Sequence, residues 1–378
     1  MSTKKVVHIT TVHHPLDPRI YYKECLSLKK AGYDVTLIVP DDPDMDKSQI
    51  SIIPLKKYKN RLWRMVLSTA EAYRQARKLD ADYYHIHDPE LLPVAWMLKK
   101  RKNIVIYDIH EDYVTSILQK NYLAKPLKKW VAKAYKMVES FFSKRLELCL
   151  AEKYYKQLYP RGVCILNYPI LNQEMIQSVK VKNTSEKSNK LIYTGNVTEV
   201  RGATIHARLP LIDDQISVYF FGKCDKKLAD HMMEIAGEQR ERLYIKGIEQ
   251  YVPKREIDQQ YENENWLAGL ALFPPTDHYR KKELTKFFEY MSAGIPIICS
   301  DFPVWKQFVE KHGCGIAVNP YDDKEIKRAI DYLRLNPEKA KEMGQNGQIA
   351  VIKELNWESE GNKLCAWYKK IWDENVKR

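Results

Sequence analysis

The sequence lacks several features that define other classes of protein. No apolar run approaches the roughly 18 residues that a membrane-spanning helix needs. The N-terminal stretch MSTKKVVHITTV lacks the apolar core of about 7–15 residues that a secretory signal peptide carries. The seven cysteines are scattered without a Cys-x-x-Cys pair, and Gly-x-Gly-x-x-Gly is absent. We therefore expect a cytoplasmic protein with reduced thiols that is neither a disulfide scaffold nor a dinucleotide dehydrogenase.

Length and charge indicate two domains and an anionic partner. A chain of 378 residues is longer than one hydrophobic core usually supports. Its net charge of +13 is concentrated in residues 51–200, which hold 27 basic and 14 acidic residues, whereas the remaining residues hold 35 of each. Such an excess of one sign attracts nucleic acid, an anionic membrane or diphosphate-bearing molecules.

Strand-like and helical segments alternate along the chain, which is typical of parallel sheets. In the first half we predict strands over residues 6–11, 35–39, 83–87, 104–109, 148–151 and 163–166. A polar stretch at 179–190 is followed by a second series of predicted strands over 191–193, 218–221, 243–245, 270–273 and 295–299. We expect an α/β protein with a first domain over 1–175, a linker over 176–190, a second domain over 191–355 and a final amphipathic helix within 356–378.

The segment 286–301, KFFEYMSAGIPIICSD, sets Glu289 in an otherwise apolar helix. Gly294 and Pro296 end that helix before a buried strand. A carboxylate in such a place needs hydrogen-bond donors, and the diol of a nucleotide ribose is a natural pair. The alternative is that Glu289 is an ordinary solvated residue on the exposed side of its helix.

In its order of residues this segment resembles the donor-binding segment of family 4 glycosyltransferases. The resemblance implies the GT-B fold, with two Rossmann-like doubly wound domains facing a cleft and a C-terminal helix that crosses back to the N-terminal domain. It also implies retaining transfer of a sugar from a nucleotide-diphosphate donor, with a UDP-sugar favoured, to an acceptor hydroxyl, without a bound metal or other cofactor. We expect the acceptor to be a membrane-linked glycan precursor of polysaccharide biosynthesis.

A glycine loop follows the first strand of the second domain. In GNVTEVRG, Gly195 lets the backbone approach a phosphate, and Arg201 adds a charged contact. A simple glycine turn with a surface arginine is the alternative. By the resemblance Asn196 replaces the arginine of the family's diphosphate loop and Arg201 its lysine, so that Lys286 or Lys281 is expected to supply the missing cation.

Further site residues follow from the resemblance. Lys281 stands where the family has the first of two glutamates, the one that faces the transferred sugar, so the donor sugar stays open. Gly247 and Ile248 are expected at the nucleobase, and His110 at the donor sugar. The catalytic set expected from the resemblance is His110, Arg201, Lys286 and Glu289.

Polar residues after the early strands give weaker candidates. Asp17 and Arg19 are predicted on the acceptor side, although they also suit the start of a helix. Asp88 is expected to line the cleft. The residues His85 and His87 lie on the same face of a strand, but the sequence brings no third and fourth ligand at metal-site spacing, so no metal is expected.

A basic amphipathic helix is predicted over 123–142. Its apolar residues follow helical spacing, and Lys125, Lys128, Lys129, Lys133 and Lys136 occupy its other faces. Trp130 and Tyr135 are suited to a membrane interface. Docking on the inner face of the cell membrane and simple packing on its own domain are equally compatible with the pattern.

Three other functions compete with sugar transfer. A nucleic-acid-binding protein would explain the charge but not the donor-site motifs, and no nucleic acid is expected as a partner. A nucleotide-sugar epimerase of the same architecture would convert the donor without an acceptor. The missing glutamate and arginine also fit a non-catalytic sugar-nucleotide-binding partner protein.

Overall fold

The computed structural model describes residues 3–43, 45, 48–119, 125–181 and 188–376. They divide into two compact units, one of Met1–Asn167 with Trp357–Arg378 and one of Tyr168–Asn356. Each unit is built on one parallel sheet with helices in the crossovers. The prediction of two Rossmann-like α/β domains is confirmed.

The strands of each unit lie in a doubly wound order. The first sheet has the order β3-β2-β1-β4-β5-β6-β7, with β1 Lys5–Ile9, β2 Asp34–Pro40, β3 Ser51–Leu55, β4 Tyr83–Ile86, β5 Ile104–Ile109, β6 Glu147–Leu150 and β7 Val163–Cys164. The second has the order β10-β9-β8-β11-β12-β13, with β8 Lys190–Thr194, β9 Ser217–Cys224, β10 Leu243–Ile248, β11 Ala268–Ala271, β12 Ile297–Ser300 and β13 Gly315–Val318. In each sheet the chain starts at a central strand and reverses direction beside it, which creates a crevice at the carboxyl ends of the strands.

Helices connect these strands. The α-helices are α1 Leu26–Lys30, α2 Arg61–Trp63, α3 Thr69–Leu79, α4 Leu92–Leu98, α5 Tyr113–Gln119, α6 Lys125–Ser143, α7 Tyr155–Leu158, α8 Gln173–Val181, α9 Ala203–Ala207, α10 Leu209–Ile212, α11 Lys226–Ala236, α12 Lys254–Asn263, α13 Thr285–Ser292, α14 Pro303–His312, α15 Asp323–Leu335, α16 Pro337–Lys353 and α17 Trp357–Val376. Wider π-helical winding covers Pro18–Cys25 and Arg64–Ser68, and short 3-10 turns cover Pro89–Leu91, Glu199–Arg201 and Gly237–Arg242. No helix among the described residues is long and apolar enough to cross a membrane.

The C-terminal helix α17 completes the core of the first unit. Its residue Trp357 donates a hydrogen bond from Nε1 to Ser27 Oγ at 2.9 Å. Farther along, Tyr368 stacks on Tyr83 of β4 with ring centres 4.8 Å apart. Because these rings are buried against β1, β2 and β5, the last turns of the chain form one face of the sheet's core.

The boundary between the units lies earlier than the sequence predicted. Tyr168 already belongs to the second unit, where its ring packs on Phe288 with centres 4.8 Å apart. The predicted linker 176–190 begins inside α8, which packs on α12. This segment forms a helix because Met175 and Ile176 are apolar and buried. Residues 182–187 of the predicted linker lie outside the described residues.

Candidate functional site

The candidate site lies at the carboxyl end of β8, where the strand order of the second sheet reverses. β8 has β9 on one side and β11 on the other. Gly195 follows β8 directly with φ of +89°, a left-handed conformation that glycine adopts without strain. Its amide donates to the Phe221 carbonyl of β9 at 2.9 Å, so the backbone continues along β9 and leaves the end of β8 free of a side chain.

Three glycines form a strip of bare backbone across neighbouring strands. A Cβ on Gly222 would lie 2.0 Å from the carbonyl oxygen of Gly195. A Cβ on Gly247 would lie 2.4 Å from the carbonyl oxygen of Gly222. Side chains at these two positions would therefore force the strand ends apart. Gly222 was missed by sequence reasoning, although its place directly after the predicted strand 218–221 is a usable signal.

Glu289 lies on the same side of the second unit as the glycine loop. The hydroxyl of Tyr261 lies 2.8 Å from Thr194 Oγ1 and 3.3 Å from Glu289 Oε2. The other carboxylate oxygen, Oε1, lies 3.7 Å from Lys254 Nζ. Tyr261 therefore connects the last residue of β8 to the carboxylate on α13, and Glu289 keeps 23% of its side chain exposed.

Two cations stand beside this loop. The ammonium of Lys286 is buried, and it has no hydrogen-bond partner among the described residues. Burial lowers the pKa of Lys286 well below its usual value, the charge of Arg201 lowers it further, and Glu289 opposes both. Arg201 donates from Nε to the Tyr279 hydroxyl at 3.0 Å.

The turn after the loop holds Arg201 in place. Gly202 has φ of +79°, and a Cβ there would lie 1.9 Å from the carbonyl oxygen of Leu272. Arg201 Nη1 lies 4.0 Å from the point where a Cβ on Gly195 would stand. An open backbone turn flanked by two positive side chains suits a doubly charged phosphate group.

Three other predicted donor-site residues are more exposed than Lys286. Asn196 is exposed, and its carbonyl oxygen accepts a hydrogen bond from the Tyr193 hydroxyl at 2.9 Å. Lys281 is exposed, whereas Lys286 lies beside Arg201. Of the two lysines considered, Lys286 is therefore the one that interacts with Arg201. Ile248 is half-exposed beside Gly247 at the end of β10.

The predicted acceptor residues of the first unit are largely engaged within that unit. Arg19 is buried and makes two hydrogen bonds to Asp108, at 2.9 and 2.7 Å. Asp88 is buried and accepts from Thr10 Oγ1 at 2.9 Å and from the Thr11 amide at 2.6 Å. Because the guanidinium of Arg19 is already used, we do not retain Arg19 as an acceptor contact. Asp88 Oδ1 has no hydrogen-bond partner in the described chain and lies 3.5 Å from His13 Nε2, so Asp88 stays a prediction.

Asp17 and His110 stay partly accessible. Asp17 caps the helical segment Pro18–Cys25 by accepting from the amides of Arg19 and Ile20. Burial opposes ionisation of Asp17, but a hydrogen bond with His13 and the two amides lower its pKa to about 2. His110 keeps 13% of its side chain exposed, and its Nδ1 lies 3.3 Å from Asp108 Oδ2.

Comparisons with known proteins agree with this architecture. The model of the glycosyl transferases group 1 matches residues 275–349, and that of glycosyltransferase family 4 matches residues 19–151. No curated protein matches the sequence. Among solved structures, sucrose-phosphate synthase from Thermosynechococcus elongatus is 16% identical with a TM-score of 0.72, over 98% of this chain and 100% of its own.

Two further structures align over almost the whole chain. A glycosyltransferase from Rickettsia africae is 12% identical over 100% of both chains, with a TM-score of 0.70. HepE from Anabaena in complex with UDP is 10% identical over 97% of this chain and 100% of its own, with a TM-score of 0.70. The fold is therefore the GT-B fold of glycosyltransferases. Within that class, one segment of each unit matches a model of a glycosyltransferase family, group 1 in the second unit and family 4 in the first.

Proposed function

We propose that the chain moves a sugar from a UDP-sugar to an acceptor hydroxyl with retention of anomeric configuration. The observation that carries this proposal is the buried, unpaired ammonium of Lys286 beside Arg201 and the Gly195 turn. A buried cation without a hydrogen-bond partner is costly, and a diphosphate would supply that partner. HepE, which has the same fold, has been solved with UDP and with UDP-glucose.

The donor would lie along the elements already described. Arg201 and Lys286 would bind the diphosphate and stabilise its charge as the sugar departs. Glu289 would accept hydrogen bonds from the ribose diol, the Gly195 turn would lie against the diphosphate, and the backbone at Gly222 and Gly247 would receive the base. Because these groups are held in place before the reaction, their electrostatic effect needs no reorganisation in the transition state.

His110 and the two cations bear on the mechanism. We propose that His110 supports the transferred sugar from the first unit, where its Nε2 has no hydrogen-bond partner in the described chain. The charges of Arg201 and Lys286 would do for the leaving diphosphate what a divalent ion does in other transferases. Sugar transfer is therefore expected to need no added metal.

The acceptor side is proposed from helix α6. Its inward face holds Glu139, which accepts from the hydroxyls of Tyr135 at 2.8 Å, Tyr107 at 3.2 Å and Tyr159 at 2.5 Å. Tyr135 is thus packed inward, and the prediction that it acts as an interfacial anchor is wrong. Leu123, predicted to begin the apolar face, lies outside the described residues.

The apolar face of α6 is turned toward solvent. Trp130 is 72% exposed. The other exposed apolar side chains of this helix are Leu127, Val131, Met137, Val138 and Phe141. The helix also packs on its own domain through Glu139 and the buried Ala132, so a solvated helix packed on its own domain stays an alternative to docking. With Lys128, Lys129 and Lys133 on the same helix, we propose that α6 docks on the anionic inner face of the cell membrane, where a lipid-linked glycan precursor would be the acceptor.

A turnover screen tests the proposal. The purified chain would be offered uridine, guanosine and adenosine diphosphate sugars, each with and without a membrane extract as acceptor. We expect binding of the uridine nucleotide and release of UDP that depends on the extract. Absence of nucleotide binding would contradict the site itself.

One alternative keeps a specific observation in its favour. The resemblance implies an arginine and a glutamate in a catalytic donor site, but this chain has Asn196 at the arginine position and Lys281 at the glutamate position, and both are exposed. A non-catalytic partner protein would bind the nucleotide sugar but release no UDP with any acceptor. An epimerase would instead convert the donor when no acceptor is present.

A further inference from the structure

A cluster of four buried polar side chains lies inside the first unit, away from its exposed surface. His8 of β1 is paired in register with His85 of β4, and His87 follows β4. Glu24 reaches the same place from the helical segment Pro18–Cys25. All four side chains are fully buried. The sequence offered only the pair His85 and His87, because His8 and Glu24 lie about 60–80 positions away and are joined to that pair only by folding.

The carboxylate of Glu24 stands at the centre of this cluster. Its Oε2 atom lies 3.9 Å from His8 Nδ1, 3.8 Å from His85 Nδ1 and 3.9 Å from His87 Nε2. These distances are too long for hydrogen bonds, and neither oxygen of Glu24 has a hydrogen-bond partner in the described chain. The other oxygen, Oε1, forms an ion pair with Arg19 Nη2 at 3.1 Å.

The separations suit a shared ion. A tetrahedral zinc site with bonds of roughly 2.0–2.1 Å places its ligand atoms about 3.3 Å apart. Here three separations are 3.8–3.9 Å. A fourth separation, between His8 Nδ1 and His87 Nε2, is 2.9 Å. All four ligand atoms lie within 4.8 Å of one another, so the side chains would have to move closer together to reach tetrahedral spacing around an ion.

The outer contacts also suit metal binding. His87 Nδ1 lies 3.2 Å from Asp108 Oδ2, so the lone pair of Nε2 is directed at His8 Nδ1 in the cluster. Ligation by these two nitrogens would replace the hydrogen bond between them. Asp108 is held in turn by the guanidinium of Arg19. His85 Nδ1 now lies 2.8 Å from the Tyr368 hydroxyl, so ligation by that nitrogen would replace this hydrogen bond.

We propose that His8, Glu24, His85 and His87 bind one divalent transition-metal ion, of which zinc fits the imidazole and carboxylate donors best. All four side chains are closed to solvent, so the ion is structural and takes no part in catalysis. It ties β1, β4 and the helical segment Pro18–Cys25 together at the centre of the unit. The proposal concerns the first unit alone and does not depend on the function proposed above.

Metal content and thermal stability test the site in the full chain. Protein purified without a metal-affinity tag would be incubated with zinc, desalted and measured by mass spectrometry of the metal. We expect one zinc per chain, a lower melting temperature after treatment with a strong chelator, and recovery when zinc is returned. Glu24→Gln and His87→Gln should each lose most of the bound zinc.

Matched variants separate this site from adventitious binding. Glu139→Gln changes another buried carboxylate of the same unit, and His231→Gln changes an exposed histidine; both should keep one zinc per chain. Cobalt in place of zinc should give visible absorption that His87→Gln loses.

Burial raises the pKa of Glu24, and a protonated carboxyl is the competing way to remove its charge. Wild-type protein that stays free of zinc, with a melting temperature indifferent to zinc and chelator, would support that alternative and overturn the proposal. Undiminished zinc in Glu24→Gln and His87→Gln would overturn it as well.

Discussion

The ammonium of Lys286 lies 3.4 Å from the centre of the Tyr193 ring. The Phe273 ring at 4.9 Å and the charge of Glu289 also attract the ammonium, but no hydrogen-bond acceptor reaches it in the described chain. Aromatic rings stabilise a desolvated cation less completely than water does, which is why burial lowers the pKa of Lys286. The site thus holds a cation at a cost that an anionic ligand removes.

Replacing Lys286 is expected to weaken UDP binding and to increase the stability of the fold. Lys286→Met removes the charge at similar length and should weaken UDP binding by about 1–3 kcal/mol. The free energy of unfolding should rise by about 1 kcal/mol, because a buried, unsatisfied ammonium is removed. Calorimetric titration with UDP and chemical denaturation measure the two effects. Lys281→Met, at an exposed position, should change neither, and equal losses of affinity in both variants would contradict the assignment.

UDP affinity is expected to fall as pH rises above the lowered pKa of Lys286. In the free protein the amine loses its proton in this range, and bound diphosphate favours the protonated form, so binding takes up a proton. Stability of the free protein should move the other way: between the lowered pKa and the usual value near 10.5 the unfolded chain binds more protons, so stability rises with pH. Titration in buffers of different ionisation enthalpy measures the proton uptake. The same uptake in Lys286→Met would assign it to another group.

Glu289 is expected to distinguish ribose from deoxyribose. Glu289→Ala should weaken UDP binding by about 1–3 kcal/mol, because the ribose hydroxyls lose a charged acceptor. Binding of 2′-deoxy-UDP, which presents only one of the two hydroxyls, should fall less. Affinities of both nucleotides for both proteins form a double cycle. If the substitution weakens the two nucleotides equally, Glu289 does not contact the 2′-hydroxyl.

The glycine strip should tolerate no side chain at its centre. Gly222→Ala puts a methyl group 2.0 Å from a backbone carbonyl oxygen, so the strand ends must move apart. We expect a loss of about 1–3 kcal/mol in stability and a larger loss of UDP affinity than in the control. That control is Gly237→Ala, where φ is also positive but a Cβ meets open space. Thermal melting measures the stability of the two variants, and titration measures their UDP affinity. Equal losses of UDP affinity in both would show that the glycine strip is not part of the UDP site.

Membrane docking should depend on α6. Replacing Lys128, Lys129 and Lys133 by Glu should abolish most binding to anionic vesicles, since each basic residue near such a surface contributes about 1 kcal/mol. Hydrolysis of a soluble donor should be spared. The matched control replaces Lys324, Lys339 and Lys341 of the second unit by Glu, which alters net charge equally. Sedimentation with vesicles of phosphatidylglycerol and phosphatidylcholine reads out both, and parallel losses would indicate a non-specific effect of charge.

Much of the fold was predictable because it is local. Buried runs such as 104–109 and helix boundaries such as Gly294 follow from hydrophobic pattern and backbone preference, and the structure places both as predicted. The short strand β3 and the partly exposed β13 were missed because neither shows a full apolar run. The unit boundary was misplaced because the polar stretch after 178 is more conspicuous than the buried pair Met175 and Ile176.

The sequence by itself determined which chemical groups stand at the strand ends, because the positions of strands and turns follow from residues that are close together in the chain. Only the tertiary structure decided which of them meet. Tyr261 joins Thr194 to Glu289 from a helix far from both in sequence, and Arg19 turns inward to Asp108. Such contacts join residues that are far apart in sequence and form only when the helices pack on the sheet. The preferences of neighbouring residues for helix or strand do not determine them.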